Sequence, residues 1–100
     1  MKHIFIVNPA AGKSDRTAEY REMIDAAFAP RGLSYELLVS NAPGECRTLA
    51  RQAAQSGEEV RLYACGGDGT LNEVVNGVVG YDLSLIHISE TTRLDVISYA

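Results

Sequence analysis

The chain has 100 residues, enough for one small domain and too few for a second lobe. Apolar residues make up 46% and charged residues 22%, an ordinary globular balance that excludes disordered and fibrous classes. Lys and Arg number 9 against 13 Asp and Glu, for a formal charge of -4, and the cations are scattered, so nucleic acid is not an expected partner. No apolar run approaches the roughly 20 residues that span a bilayer. The start Met1-Lys2-His3-Ile4-Phe5 lacks a signal peptide's apolar stretch, and a cytoplasmic location is expected. Cys46 and Cys65 are too few and too oddly spaced for a disulfide framework or a zinc site, and read as reduced packing residues.

In chain order, Ile4-Phe5-Ile6-Val7 is a β-branched apolar run ended by Asn8-Pro9, which predicts a buried strand and a loop. Tyr20, Met23, Ile24, Ala27 and Phe28 share one helix face, with Ser14 or Asp15 expected as N-cap and Pro30 with Gly32 as the stop. Ser34 to Val39 predicts a second strand, followed by the loop Ser40-Asn41-Ala42-Pro43-Gly44. A second helix face, Cys46, Leu49, Ala50, Ala53 and Ala54, ends at Gly57. Val60, Leu62 and Ala64 alternate along a third strand that runs into Gly66-Gly67-Asp68-Gly69. Leu71, Val74, Val75, Val78 and Val79 then fit a third helix face, one that must rely on burial because valine and Gly77 are mediocre helix formers. Strands alternating with helices predict an α/β fold: a three-layer parallel sheet with flanking helices, its ligands beyond the carboxyl ends of the strands.

The most informative loop is Gly66-Gly67-Asp68-Gly69-Thr70, set between a strand and a helix. Its glycines let backbone N-H groups approach a ligand, and the helix start adds free donors and a positive dipole end, which suits a phosphate. A carboxylate there would repel phosphate unless Asp68 holds Mg²⁺ or takes a proton from an attacking hydroxyl, and both roles belong to phosphoryl transfer. The plain alternative is a glycine-rich turn with Asp68 capping the helix. Asn8-Pro9-Ala10-Ala11-Gly12-Lys13 is a second small-residue loop after a strand. It misses the Walker A pattern, because Val7 stands where that pattern needs glycine; the dinucleotide fingerprint fails as well, with Asn72 in place of its third glycine.

Taken together, Asn8-Pro9-Ala10-Ala11-Gly12, Ser40 with Gly44, and Gly66-Gly67-Asp68-Gly69-Thr70-Leu71-Asn72-Glu73-Val74-Val75-Asn76-Gly77 resemble the catalytic-domain signature of the diacylglycerol kinase and sphingosine kinase family. The resemblance covers residues 1–80. It implies the amino-terminal lobe of the lipid kinase and NAD kinase-like fold, with ATP and Mg²⁺ as cofactors and a lipid hydroxyl as phosphate acceptor. It also implies that Asn8, Pro9, Ala10, Ala11, Gly12, Ser40, Gly66, Gly67, Asp68, Gly69, Thr70, Leu71 and Asn72 line the nucleotide site. Asp68 is placed in the active centre, and no metal ligand set is assigned. Lys13 reads either as a point charge near the phosphates or as an exposed lysine at a helix start. Peripheral membrane contact is expected of the parent protein, and the oligomeric state is left open.

After Gly80 the chain departs from the family, which continues with a Gly-Thr-Gly-Asn segment. Residues 81–100 hold no glycine or proline, and Leu83 to Arg93 is similar to translated sequencing-adapter read-through. The expectation is a nucleotide-binding lobe over 1–80 and an atypical tail over 81–100, with no activity in isolation and an apolar surface and strand edge left exposed. Two other readings stay open: an NAD kinase-like enzyme, which shares the Gly-Gly-Asp-Gly-Thr loop, and a nucleotide-binding module without chemistry.

Overall fold

Successive side chains of a strand point to opposite faces of its sheet, so a run of four large apolar residues demands cover on both sides. In the computed structural model, which describes residues 1–9 and 16–88, that run lies in β1 (Lys2–Val7). It is followed by α1 (Thr17–Phe28), one turn of 3-10 helix (Ala29–Arg31), β2 (Glu36–Val39), α2 (Glu45–Ala54), β3 (Val60–Cys65), α3 (Asp68–Gly77) and β4 (Ser84–Ile88). The strands form one parallel sheet in the order β2-β1-β3-β4.

The chain leaves β1 toward β2, then crosses back over β1 to reach β3. Right-handed crossovers in opposite directions put their helices on opposite faces, and the two cores follow that rule. Ile4, Ile6, Leu62 and Ala64 pack with Cys46, Ala50 and Ala53 of α2 and Val74 of α3. Phe5, Val7, Tyr63 and Cys65 pack with Tyr20, Ile24 and Phe28 of α1 on the other face. The Phe5 and Tyr63 rings, paired across β1 and β3, stack with centroids 4.0 Å apart. Cys46 and Cys65 are buried free thiols in different cores, separated by the sheet, and their place as packing residues stands.

Three expectations need correction. The N-cap of α1 is Arg16, without a side-chain capping bond; Ser14 and Asp15 lie outside the described residues. Arg16 is instead tied to Glu19 by a 2.8 Å ion pair. The second strand starts at Glu36 rather than Ser34. The third helix buries its predicted face only in part: Val74 is buried and Leu71 and Val78 pack against the core, whereas Val75 is 41% and Val79 64% exposed, and the helix stops at Gly77. Its buried residues are Thr70, Val74 and Gly77.

The reason lies at the contact between α2 and α3. A Cβ on Gly77 would sit 2.4 Å from the Arg47 carbonyl oxygen and 3.0 Å from Ala50 Cβ. Only a residue without a side chain lets the two backbones come this close, so α3 rolls Gly77 inward and turns Val75 out. Gly77→Ala should therefore destabilise the domain by roughly 1–3 kcal/mol, the range for overpacking a tight core, despite alanine's better helix propensity. The midpoint of urea unfolding followed by circular dichroism measures this; a stabilised variant would contradict the close contact.

Candidate functional site

The register of the sheet decides which loops meet. Val7, the last residue of β1, pairs with Val39 of β2 on one side and Cys65 of β3 on the other. Asn8, Ser40 and Gly66 therefore leave the sheet in one row, with neighbouring strands about 4.8 Å apart. The row straddles β1, where the strand order reverses, the place where open α/β sheets form a binding crevice. Asn8 and Pro9 are half-buried at its centre, whereas Ala10, Ala11, Gly12 and Lys13 lie outside the described residues.

On the β3 side, Gly66 has φ 147°, a conformation that side chains with a Cβ rarely adopt. A Cβ there would also lie 2.6 Å from Thr70 Oγ1. The turn is tied to β4: Gly66 N donates to the Ile88 carbonyl at 3.0 Å, and the Gly66 carbonyl oxygen lies 2.8 Å from His87 Nε2. The sequence carries no signal for this second contact, because His87 meets Gly66 only through the pairing of β3 with β4.

Gly67 is extended at the N-cap of α3, and Asp68 is its exposed first residue. The first-turn N-H groups have no intrahelical acceptor and, with the helix dipole, face outward as anion donors. Added Cβ atoms at Gly67 and Gly69 would meet nothing within 4 Å, so the turn leaves open space beside these donors. Thr70 is only 2% exposed and its hydroxyl has no hydrogen-bond partner among the described residues. An orphaned buried hydroxyl beneath a glycine-lined turn fits a phosphate-bearing group, since leaving it unpaired costs about 1–3 kcal/mol.

The remaining expected residues contribute differently. Ser40 is 4% exposed, and its N-H donates to the Val7 carbonyl at 2.9 Å. Burial pushes the Cys46 thiol upward in pKa, with Ser40 acting weakly against it, and burial alone pushes Cys65 up to about 12. Neither thiol is poised as a nucleophile. Leu71 packs on the α2-facing core, so its side chain belongs to the fold rather than to the open face. Asn72 is exposed one turn beyond Asp68, and its carbonyl accepts from Asn76 Nδ2 at 2.8 Å.

Among the described residues no group of three or more His, Cys, Asp or Glu is placed to hold a metal ion. Mg²⁺ is commonly held by one or two carboxylates together with phosphate oxygens and water, and Asp68 beside a phosphate cradle meets that pattern. No helix among the described residues is long and apolar enough to cross a membrane.

Comparison with known proteins gives this geometry a context. The model of the diacylglycerol kinase catalytic domain matches residues 2–97. YtlR of Bacillus subtilis strain 168, named as a candidate lipid kinase, is 35% identical over 85 residues, covering 82% of this chain and 27% of that protein. A diacylglycerol kinase of Staphylococcus aureus strain MRSA252 is 39% identical over 75 residues, covering 73% of this chain and 22% of its own. The crystal structure of a diacylglycerol kinase from Bacillus anthracis superposes with a TM-score of 0.64 at 26% identity, over 88% of this chain and 32% of that one. The chain thus spans about a quarter of the length of these curated relatives. A phosphate-suited turn at the switch point, on a sheet shared with solved kinases and matched almost end to end by the family model, places the chain in the diacylglycerol kinase catalytic domain family.

Proposed function

We propose that the protein to which this chain belongs transfers phosphate from ATP to a lipid hydroxyl, diacylglycerol or a related lipid, and that residues 1–80 are its nucleotide-binding lobe. The single observation that carries this reading is the row of Asn8, Ser40 and Gly66 at the crevice, with the orphaned Thr70 hydroxyl beneath the turn. When bound, MgATP supplies the phosphoryl group and the cation that offsets its charge. The first-turn N-H groups of α3 hold phosphate oxygens, and the open positions at Gly67 and Gly69 let them approach. Asp68 is the catalytic carboxylate, taking the proton of the lipid hydroxyl or holding the cation. The parent protein is cytoplasmic and meets the membrane peripherally.

Glycine substitutions separate the fold from the site. Gly67→Ala has room for its methyl group and an ordinary backbone angle, so its stability should stay within about 0.5 kcal/mol of the parent while MgATP affinity falls. Gly66→Ala is strained and collides with Thr70, and should lose roughly 1–3 kcal/mol as well. Thermal melts with and without MgATP read both effects; equal MgATP stabilisation of the Gly67→Ala variant and the parent would argue against a phosphate cradle.

Asp68→Ala tests the chemistry. It should abolish the Mg²⁺-dependent part of ATP binding in this chain, whereas a module without chemistry would bind ATP as well as before. The isolated chain, lacking the lipid-binding lobe, should show no transfer to diacylglycerol in a radiolabelled-phosphate assay. Robust turnover would overturn that half of the proposal.

The boundary at residue 80 is part of the same reading. Strand β4 lies beyond it, in the sheet, where Leu85, Ile86 and Ile88 pack against the two cores. The atypical-tail reading predicts that genomic DNA past the codon for Tyr81 encodes a Gly-Thr-Gly-Asn segment and a further β-rich lobe. Sequencing that locus decides the point, and a stop codon after Ala100 would retire the tail reading.

A further inference from the structure

We propose that His87 is a positioning residue for the phosphate turn: by holding the Gly66 carbonyl toward β4, its ring aims the Gly67 N-H into the crevice beside β1. The inference deepens the nucleotide-site reading and rests on it. It concerns this chain as it stands, whatever the locus encodes past the codon for Tyr81.

The place of the ring follows from strand alternation. Leu85 packs on the core shared by α2 and α3, while Ile86 and Ile88 pack on the α1 side, so His87 emerges with Leu85 on the face that carries α3. It pairs with Ala64, two residues before Gly66, and its Nε2 lies 2.8 Å from the Gly66 carbonyl oxygen. A carbonyl oxygen only accepts, so Nε2 carries the hydrogen and donates. Among the described residues no peptide bond is cis. The Gly66 C=O and the Gly67 N-H share one trans peptide plane and therefore point in opposite directions. Strand β3 lies between β1 and β4, so an oxygen drawn toward β4 turns the adjoining N-H toward β1, where the loop starting at Asn8 leaves the sheet.

Little else fixes that plane. Two glycines in succession can rotate the peptide between them at small cost, and neither has a side chain whose packing would resist. A Cβ added at Gly67 would meet nothing within 4 Å. The Gly66 N-H is already anchored on the Ile88 carbonyl at 3.0 Å, which leaves the carbonyl end of the residue to His87.

The test keeps a side chain of similar size and removes only its donor. His87→Leu fills the space without an N-H, whereas His87→Gln carries an amide N-H at a similar reach. His87→Leu should weaken MgATP binding to the chain roughly fivefold, the effect of losing one neutral hydrogen bond, and His87→Gln should restore it to within about twofold of the parent. In ¹H-¹⁵N spectra of His87→Leu the largest change of amide shift should fall on Gly67. Equal losses in the two variants would make the ring a packing element and overturn the proposal, as would unchanged affinity in both. A through-hydrogen-bond coupling between His87 Nε2 and the Gly66 carbonyl carbon reads the contact in the parent chain without any substitution, so the proposal stays exposed even if His87→Leu does not fold; absence of that coupling would overturn it. The two ideas fail separately. A parent chain that shows the coupling but binds no MgATP defeats the nucleotide reading alone, and MgATP binding that His87→Leu leaves intact defeats this one alone.

Discussion

The arrangement depends on the pairing of β1 with both of its neighbours. Val7 faces Val39 and Cys65 at one level, and that register brings three loops, distant in sequence, to a common rim. A slip by one residue would exchange the faces of β1, sending Phe5 and Val7 toward α2 and Ile4 and Ile6 toward α1. Each face has its own size requirement. The α1 face takes aromatic rings from Phe5, Tyr63, Phe28 and Tyr35, while the α2 and α3 face takes small residues, Ala50, Ala53 and Cys46. A slipped strand would overfill one core and underfill the other, so packing holds the loops in place.

Close approach of α2 and α3 is the second constraint. Gly77 lets α3 lie against the Arg47 backbone, which fixes the roll of the helix and therefore the direction of its first turn. Thr70 and Gly77 are seven residues apart on the same buried side, so one rotation puts both inside and leaves Asp68, Asn72 and Val75 outside. The contact that buries Gly77 thus also exposes the carboxylate at the other end of the helix. Fold and site are linked through the rigidity of ten helical residues.

The sheet edges show how the lobe deals with its boundaries. Strand β4 pairs along β3 and holds the Gly66 turn by two contacts, so the outer edge of β3 is covered. Apolar surface remains at Val75, Val79 and Tyr81, on the outer side of α3 and the turn after it. Relatives roughly three times as long have further chain with which to cover such a surface.

Much of this was legible before any coordinates. Alternation of short apolar runs with helical faces gave the parallel α/β class, and the run from Gly66 to Gly77 gave the family, because glycines and a carboxylate at a strand-to-helix turn are a local chemical pattern that needs no partner. The helix faces of α1 and α2 were readable for the same reason: their apolar residues face large, continuous cores. The face of α3 was readable only in part. Hydrophobic periodicity pointed to Leu71, Val74, Val75, Val78 and Val79, of which Leu71, Val74 and Val78 pack on the core, and only the neighbouring backbone at Arg47 reveals why Gly77 is buried while Val75 is turned out. Ser40 likewise read as a residue of a polar loop, and only the pairing of β2 with β1 shows that it is buried beside Val7 at the sheet rim. Local chemistry, then, was determined by the order of residues alone. Which of those residues share a rim, and which way each points, was decided by register and helix roll, since both depend on contacts between segments that the linear sequence keeps apart.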